Sequence, residues 1–469
     1  MAAPQPTKKS KLTLYIIVSL IAGVGLGFTF NKTYLSEDNK ALKEVDLSIR
    51  NVQEQLKTTN DSLVINQLEN QRKDLRKTRG TVLTARDKKV EPFSLMADIF
   101  LRLIKMIVAP LVFTTLVVGV AKLGDIGAVG RIGGKTLLWF LAASFTSLLL
   151  GMVLVNIFKP GIAMDLPLPE VSEIPGITNT GLSLKVFLYH VFPSSVVEAM
   201  AKNEILQIVV FSLFFGVATA AIGEQGKIVI TFMDSCAHVI LKLTGYVMNF
   251  APLAVFGAMT AIIAQQGITI LKTYSIFITE FYFGLLVLWV ILALAGSAFI
   301  GKRIFGLVKR IKEPILLAFS TSSSEAAFPK TMEELQRFGC KDKIVSFVLP
   351  LGYSFNLDGS MMYMTFASLF IAQSYAIDLP LATQLSMLLV LMLTSKGIAG
   401  VPRASLVVIA GTLATFNIPE AGLALLLGID PLLDMGRSAT NVVGNSVATA
   451  VVSKLENSLG SPLPEGAEL

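Results

Sequence analysis

Asn356-Leu357-Asp358-Gly359-Ser360 is a polar stretch with apolar residues on both sides, at 347–355 and 361–372. A turn at a membrane surface would end an apolar run; here the run resumes at once. The pattern predicts a membrane helix interrupted part-way, with Gly359 loosening the backbone, carbonyls freed, and Asp358 offering a hard anionic oxygen. Carbonyls and a carboxylate together suit Na⁺ or a relayed proton. Such a break survives at membrane depth only where protein or a water-filled cavity satisfies the freed groups. The chain therefore reads as an all-α integral membrane protein with a polar interior.

The neighbouring segments have the same character. Residues 314–319 end in Ser320-Thr321-Ser322-Ser323-Ser324, then Glu325 and Pro329; residues 384–394 end in Ser395-Lys396-Gly397-Ile398-Ala399-Gly400-Val401-Pro402. Pieces this short cannot cross alone, since a span needs roughly 20 apolar residues. They read as re-entrant hairpins. Two interrupted pieces, each preceding a longer helix, point to an inverted repeat with a binding site near the midplane. Hydroxyls and exposed amides at the first tip suit a carboxylate. At the second tip, Gly397, Gly400 and Pro402 fit a mobile gate, and plain turn chemistry accounts for them equally.

The last helix, residues 428–455, carries Asp430, Asp434, Arg437, Asn441 and Asn445 at spacings of four, three, four and four. At 100° per residue they form one stripe about 80° wide. A charge at the bilayer centre costs roughly 2.5–3.5 kcal/mol on insertion scales, so the stripe must face partners or a ligand. Asp434 and Arg437 are spaced to pair with each other. Pairing alone does not require Asn441 and Asn445 two turns further on. In the ligand reading, Arg437 forks onto a carboxylate and Asp434 receives an ammonium, selecting a zwitterion with an additional acid group.

Composition agrees. Of 469 residues, 53% are hydrophobic and 16% charged, with a mean hydropathy of +0.66. Soluble domains carry about 25% charge, so a soluble enzyme, a disordered chain and a disulfide scaffold are excluded. The net charge of +7 is no argument for nucleic acid, because the basic residues cluster at segment ends. Cys236 and Cys340 lack metal-ligand spacing, and two histidines leave little scope for metal chemistry. Apolar runs at 12–30, 93–122, 136–158, 182–222, 227–264 and 274–300 predict six crossings before the basic cluster at 302–312, with the N-terminus cytoplasmic; Pro193 breaks the fourth. Residues 31–92 hold 13 basic and 10 acidic side chains. There Leu42, Val45, Ile49, Val52 and Leu56, then Leu68 and Leu75, predict two short amphipathic helices in a hairpin outside the membrane, broken at 58–61.

These segments resemble the dicarboxylate/amino acid:cation symporter family, which includes the glutamate transporters. The resemblance begins at Arg102-Leu103-Ile104-Lys105-Met106-Ile107-Val108-Ala109-Pro110. It is most specific in the serine-rich tip, the 356–360 break, Ala399-Gly400-Val401-Pro402, and Asp434-Met435-Gly436-Arg437 with Asn441. It implies eight membrane helices and two re-entrant hairpins arranged as inverted repeats, in a homotrimer whose transport domain moves elevator-fashion against a fixed scaffold. The chain then divides into 1–30 (cytoplasmic N-terminus and first helix), 31–92 (insertion), 93–312 (helices two to six, of which three and six join the transport domain), 313–456 (transport core) and 457–469 (tail). By matching position, Arg437 would bind the substrate side-chain carboxylate, Asp434 its amino group, and Asn441 and Ser438 its backbone end. Ser323, Ser324, Ser360 and the backbone at Val401 would complete the pocket. Arginine and aspartate together favour L-glutamate or L-aspartate over the C4-dicarboxylates that form the alternative.

The coupling ion is where the chain departs from the sodium-driven pattern. Asn445 stands where those relatives place an aspartate, and Phe140 and Ala143 stand where they have tyrosine and threonine, beside Ser144. The resemblance leaves Gly352, Ser354, Asn356, Asp358, Ser395, Asn441, Asn445 and Glu325 as coupling candidates, with Na⁺ placed at Asn356, Asp358 and Asn441 if sodium is used. Met364 cannot titrate where some glutamate carriers hold an acid. The reading is H⁺ over Na⁺, carried by Asp358, Glu325 or Asp434, with no organic cofactor. From other classes, an intramembrane hydrolase could pair Asp358 with Asp430 or Asp434, though Arg437 would suppress a raised-pKa acid. A passive anion channel could use the same hairpins. The expected setting is a bacterial inner membrane with both termini cytoplasmic, no enzyme activity and no nucleic-acid partner.

Overall fold

The structure, a computed structural model, describes residues 12–59, 61–123, 126–164, 191–395, 404–427 and 429–463. The described residues are 88% helical, with no strand among them. In order, the principal helices are α1 (Leu12–Lys32), α2 (Ser36–Thr58), α3 (Ser62–Leu123), α4 (Ile126–Phe158), α5 (Ile205–Ala221), α6 (Gly226–Met248), α7 (Ala251–Thr273) and α8 (Ser275–Ile300). Then come α9 (Arg303–Thr321), α10 (Phe328–Phe338), α11 (Asp342–Phe355), α12 (Asp358–Ser374), α13 (Leu381–Thr394), α14 (Ala404–Thr415) and α15 (Asp430–Leu455). Among the described residues five helical stretches are long and apolar enough to cross a bilayer: Leu14–Lys32, Ser62–Ala121, Gly127–Ala163, Gly223–Met248 and Ser275–Ile300.

With lipid as apolar as the side chains themselves, close backbone approach holds membrane helices together. Gly23 and Gly27, one turn apart on α1, abut the carbonyls of Phe256 and Thr260 on α7, where a Cβ would collide. Asn31 Nδ2 closes that pair by donating to the Ala264 carbonyl at 2.6 Å.

The charged insertion is a helical hairpin, broken at 58–61 as the spacing predicts. Leu42 and Val52 are buried, and Asp46–Arg79 and Asp38–Lys89 bridge its two arms at 2.7 Å each. Its second arm is not a short helix. α3 runs unbroken for 62 residues, through Pro92 and into the membrane span, about 93 Å at 1.5 Å per residue. Pro92 removes one amide, but the carbonyl it frees belongs to the exposed Lys88, where water can satisfy it. A second difference concerns residues 227–264, expected as one crossing. The chain turns at Asn249–Phe250 and restarts as α7, with Pro252 in the first turn, where a missing N–H costs nothing. The fourth region is broken as expected, with Asn203 in a left-handed conformation between residues 196–201 and α5.

α9 and α10 form the first hairpin, turning at Ser322 with φ 50°. α13 and α14 flank the second, whose tip, including Lys396, Gly397, Gly400, Val401, Pro402 and Arg403, lies outside the described residues. One apolar core gathers α3, α7, α11 and the first hairpin; another gathers α4, α8, α12 and the second hairpin. α15 serves both, giving Leu433 to one and Met435, Val442 and Val447 to the other. Beyond α15 the chain straps the base of the first hairpin. Lys341 N donates to Ser458 O (3.1 Å), Gly460 N to Gly339 O (2.8 Å) and Leu463 N to Arg337 O (2.8 Å). Arg303 and Arg310 of α9 add bonds to the Gly460 and Leu463 carbonyls at 2.7 and 2.5 Å.

Candidate functional site

α11 stops because Asn356 (φ −128°, ψ 64°) and Leu357 (φ −96°, ψ 65°) leave helical geometry, and α12 restarts at Asp358. The restart leaves orphan amides. α15 satisfies two of them: Asn441 Oδ1 accepts from Gly359 N at 2.9 Å and from Ser360 N at 3.4 Å. Asn441 Nδ2 then donates to Ser360 Oγ at 3.4 Å. The helices touch closely here, since a Cβ on Gly359 would strike the Arg437 backbone and one on Gly444 would overlap Asp358 Oδ2.

The expected polar stripe on α15 is present, and all but Asp434 is buried. Arg437 is 1% exposed. Its Nη2 lies 3.0 Å from Asp430 Oδ1 and 3.0 Å from Asp434 Oδ1, and its Nε donates to Asp434 at 3.2 Å. The guanidinium stacks on the Tyr363 ring at 4.1 Å, and Tyr363 Oη donates to Asp430 Oδ1 at 3.1 Å. The Asp434–Arg437 pairing foreseen as the alternative to ligand binding is thus formed. It does not use the whole guanidinium: Nη1 is buried without a partner among the described residues, while the Asp434 side chain keeps 32% exposure. The first hairpin tip reaches this end of α15, where Ser322 Oγ donates to the Pro431 carbonyl at 3.4 Å. Ser323 Oγ accepts from Ala326 N at 3.2 Å, shaping the turn after the tip. Tyr282 Oη and Trp289 Nε1 of α8 fix α15 from outside, donating to Leu432 O at 2.5 Å and Thr440 Oγ1 at 2.8 Å.

Two turns along, a second buried group forms. Asn356 Nδ2 donates to Asp358 Oδ2 at 2.9 Å and to Asn445 Oδ1 at 3.2 Å; Asn356 Oδ1 and Asn445 Nδ2 have no partner among the described residues. From α4, Ser147 Oγ reaches Asp358 Oδ1 and Ser144 Oγ reaches the Phe355 carbonyl, each at 3.4 Å. The Gly352 carbonyl accepts from Asn356 N at 2.8 Å, and Ser354 is buried beside it. Ser395, buried at the end of α13, donates to Met392 O at 3.1 Å. Glu325 sits on the turn after the first tip, away from both groups' hydrogen bonds. Among the described residues no cluster of three His, Cys, Asp or Glu side chains could hold a metal ion.

Of the residues expected to line one pocket, Ser360 lies against Asn441 and Asp434 against Arg437. Sequence reasoning missed Tyr363, hidden in an apolar run, and Ser147, one turn beyond the serine it had singled out. It also gave Asp430 no part in holding Arg437. Val401 is outside the described residues.

An interrupted helix and a helical hairpin converging on buried ionisable groups in a chain with membrane-length apolar helices define a membrane transport protein. The chain belongs to the sodium:dicarboxylate symporter family, whose model matches residues 12–455. Over 367 residues it is 43% identical to the proton/sodium-glutamate symport protein of Geobacillus stearothermophilus, covering 77% of this chain and 87% of that one. Over 371 residues it is 41% identical to the C4-dicarboxylate transport protein of Bacillus subtilis, with the same coverage. A Bacillus caldotenax proton/sodium-glutamate symport protein is 42% identical over 367 residues, again covering 77% and 87%. The protein is a symporter, and its family is one of transporters rather than enzymes.

Proposed function

We propose that this symporter imports L-glutamate or L-aspartate with protons, by alternating access. The observation that carries the reading is the half-used pair on α15. The Nη1 arm of Arg437 lies buried with no described partner, next to a partly exposed Asp434 and under the first hairpin tip. A guanidinium arm without an acceptor is costly in a buried site, and a ligand carboxylate removes that cost. Asp434 then takes the ammonium. Asn441 and Ser438 hold the backbone end, and Ser323, Ser324, Ser360 and Val401 close the pocket.

Protons are favoured over Na⁺ because the group around Asp358 has one carboxylate and neutral amides, with Asn445 where a second anion would sit. Phe140 and Ala143, buried on α4, add no oxygen. If sodium is used, Asn356, Asp358 and Asn441 are the ligands. The transport core moves elevator-fashion within a homotrimer of the inner membrane, both termini in the cytoplasm. Residues 93–312 supply the scaffold, apart from α4 and α8.

The second reading, a C4-dicarboxylate symporter, draws on the Bacillus subtilis relative. Competition uptake separates the two. In proteoliposomes with an inward proton gradient and no Na⁺, radiolabelled L-glutamate should accumulate and be displaced by aspartate more effectively than by succinate. Succinate outcompeting both would favour the second reading. Accumulation that needs sodium and ignores pH would overturn the proton assignment, and equilibration without accumulation would indicate a channel.

A further inference from the structure

Glu325 is a carboxylate that the Arg437 network does not employ. It opens the short turn Glu325–Ala327, directly after the serine tip, and the three residues that follow are buried. The turn packs on α9 and α10 of its own hairpin and on α3 from across the molecule. Its carboxylate makes no hydrogen bond and no ion pair within 4 Å to a described residue. A second polar group lies near it on α11: Tyr353, whose hydroxyl is buried with the Thr331 side chain beside it. Phe328 holds that ring edge-on at 5.0 Å, and the nearby Thr331 hydroxyl gives its own proton to the Ala327 carbonyl at 2.8 Å.

The charge that acts on Glu325 from α3 is Lys105. The charged residues of the hairpin itself are engaged elsewhere. Lys330 lies 2.9 Å from Glu333, 3.2 Å from Glu334 and 3.9 Å from Glu313, Arg337 is 2.9 Å from Glu333, and Arg310 is 4.0 Å from Glu334. Of the three acids available for a proton, Asp434 already lies 3.0 Å from the Arg437 guanidinium. Asp358 accepts from Asn356 and Ser147. Glu325 alone has a buried phenol and a cation of α3 near it, beside the core that joins α3 to the first hairpin.

We propose that Glu325 is the site of the coupled proton. The carboxylate takes H⁺ from outside as substrate enters, and the acid so formed hydrogen-bonds the Tyr353 hydroxyl. Protonation also cancels its attraction to Lys105, freeing the hairpin tip from α3. On the inner side the same O–H bond breaks, the proton leaves to water, and the carboxylate returns to Lys105. This rests on the proton-coupled reading above.

The test compares wild type, Glu325→Gln and Glu325→Asp in proteoliposomes, with substrate binding titrated against pH on the same purified proteins. For wild type, affinity for L-glutamate should change roughly ten-fold per pH unit on the limb where one proton is taken up with substrate. In Glu325→Gln that dependence should flatten, and the ratio of gradient-driven accumulation to exchange should fall about ten-fold or more; Glu325→Asp should restore a slope. A Gln variant that keeps the wild-type pH slope and accumulation would overturn the assignment while leaving proton coupling intact. A wild type driven by sodium and indifferent to pH would overturn the proton reading itself, and this site with it. Should the Gln variant not assemble, Tyr353→Phe decides: the pH midpoint must move, and an unmoved midpoint counts against the site.

Discussion

Two of the three guanidinium nitrogens of Arg437 are committed to Asp430 and Asp434, while Tyr363 supports the group from its face. This divides roles that the sequence pattern could not. Asp430 and Tyr363 fix the fork, and Asp434 is shared between fork and ligand. Replacing Arg437 with lysine keeps a charge but loses the planar fork, so initial uptake of acidic substrate should drop at least about ten-fold, as measured in proteoliposomes. Tyr363→Phe keeps the ring and removes one hydrogen bond to a charged partner, worth about 1.5–3 kcal/mol. Calorimetric titration should show L-glutamate binding weakened roughly ten-fold or more, with the preference over succinate unchanged. An altered preference would mean that Tyr363 contacts the ligand rather than holding Arg437.

Among the elements, what could be read in advance was whatever placed polar atoms inside apolar runs. The 356–360 break and the α15 stripe stand out because lipid tolerates neither without partners. Tyr363 escaped notice because a tyrosine passes as apolar, its hydroxyl's role appearing only when α15 lies alongside. The turn between α6 and α7 escaped because Pro252 begins a helix without interrupting hydrophobicity. The unbroken α3 escaped because a change of composition at residue 93 is not a change of backbone. The strap over the first hairpin was illegible, being made of backbone bonds between distant segments. Gly339 there has φ 107° and would set a Cβ against the Gly460 carbonyl. Gly339→Ala should cost about 1 kcal/mol or more, seen as a lower melting temperature in detergent. At the other end of the strap, Glu456 is opposed by burial, but Arg131 and Lys135 more than offset this and hold its carboxyl below the usual range. A lowered carboxyl stabilises above its unfolded value, near pH 4.3, and loses that contribution as pH falls through the folded one. Glu456→Gln should therefore destabilise the protein at neutral pH and matter progressively less on acidification.

For the molecule as a whole, two apolar cores share α15, each packed around one hairpin, so the binding stripe lies where the two parts meet. The hairpin of the charged insertion is tied by its own seam and ion pairs, and its base packs Leu35 and Val90 on Ala261 and Ala264 of α7. Val52→Asp should open it, exposing residues 58–61 to limited proteolysis while leaving glutamate binding within about two-fold, as surface changes far from a site usually do. Loss of binding would tie the insertion to the carrier's core. Substrate recognition turns on the Nη1 arm of Arg437 and the exposed side of Asp434. Its most direct test is calorimetric binding of L-glutamate and succinate to wild type and to Asp434→Ser at one pH. Wild type should prefer glutamate, and the variant should lose that preference while still binding succinate through Arg437. Glutamate binding untouched by the substitution would contradict this assignment, as would equal loss of both ligands from a variant that folds normally.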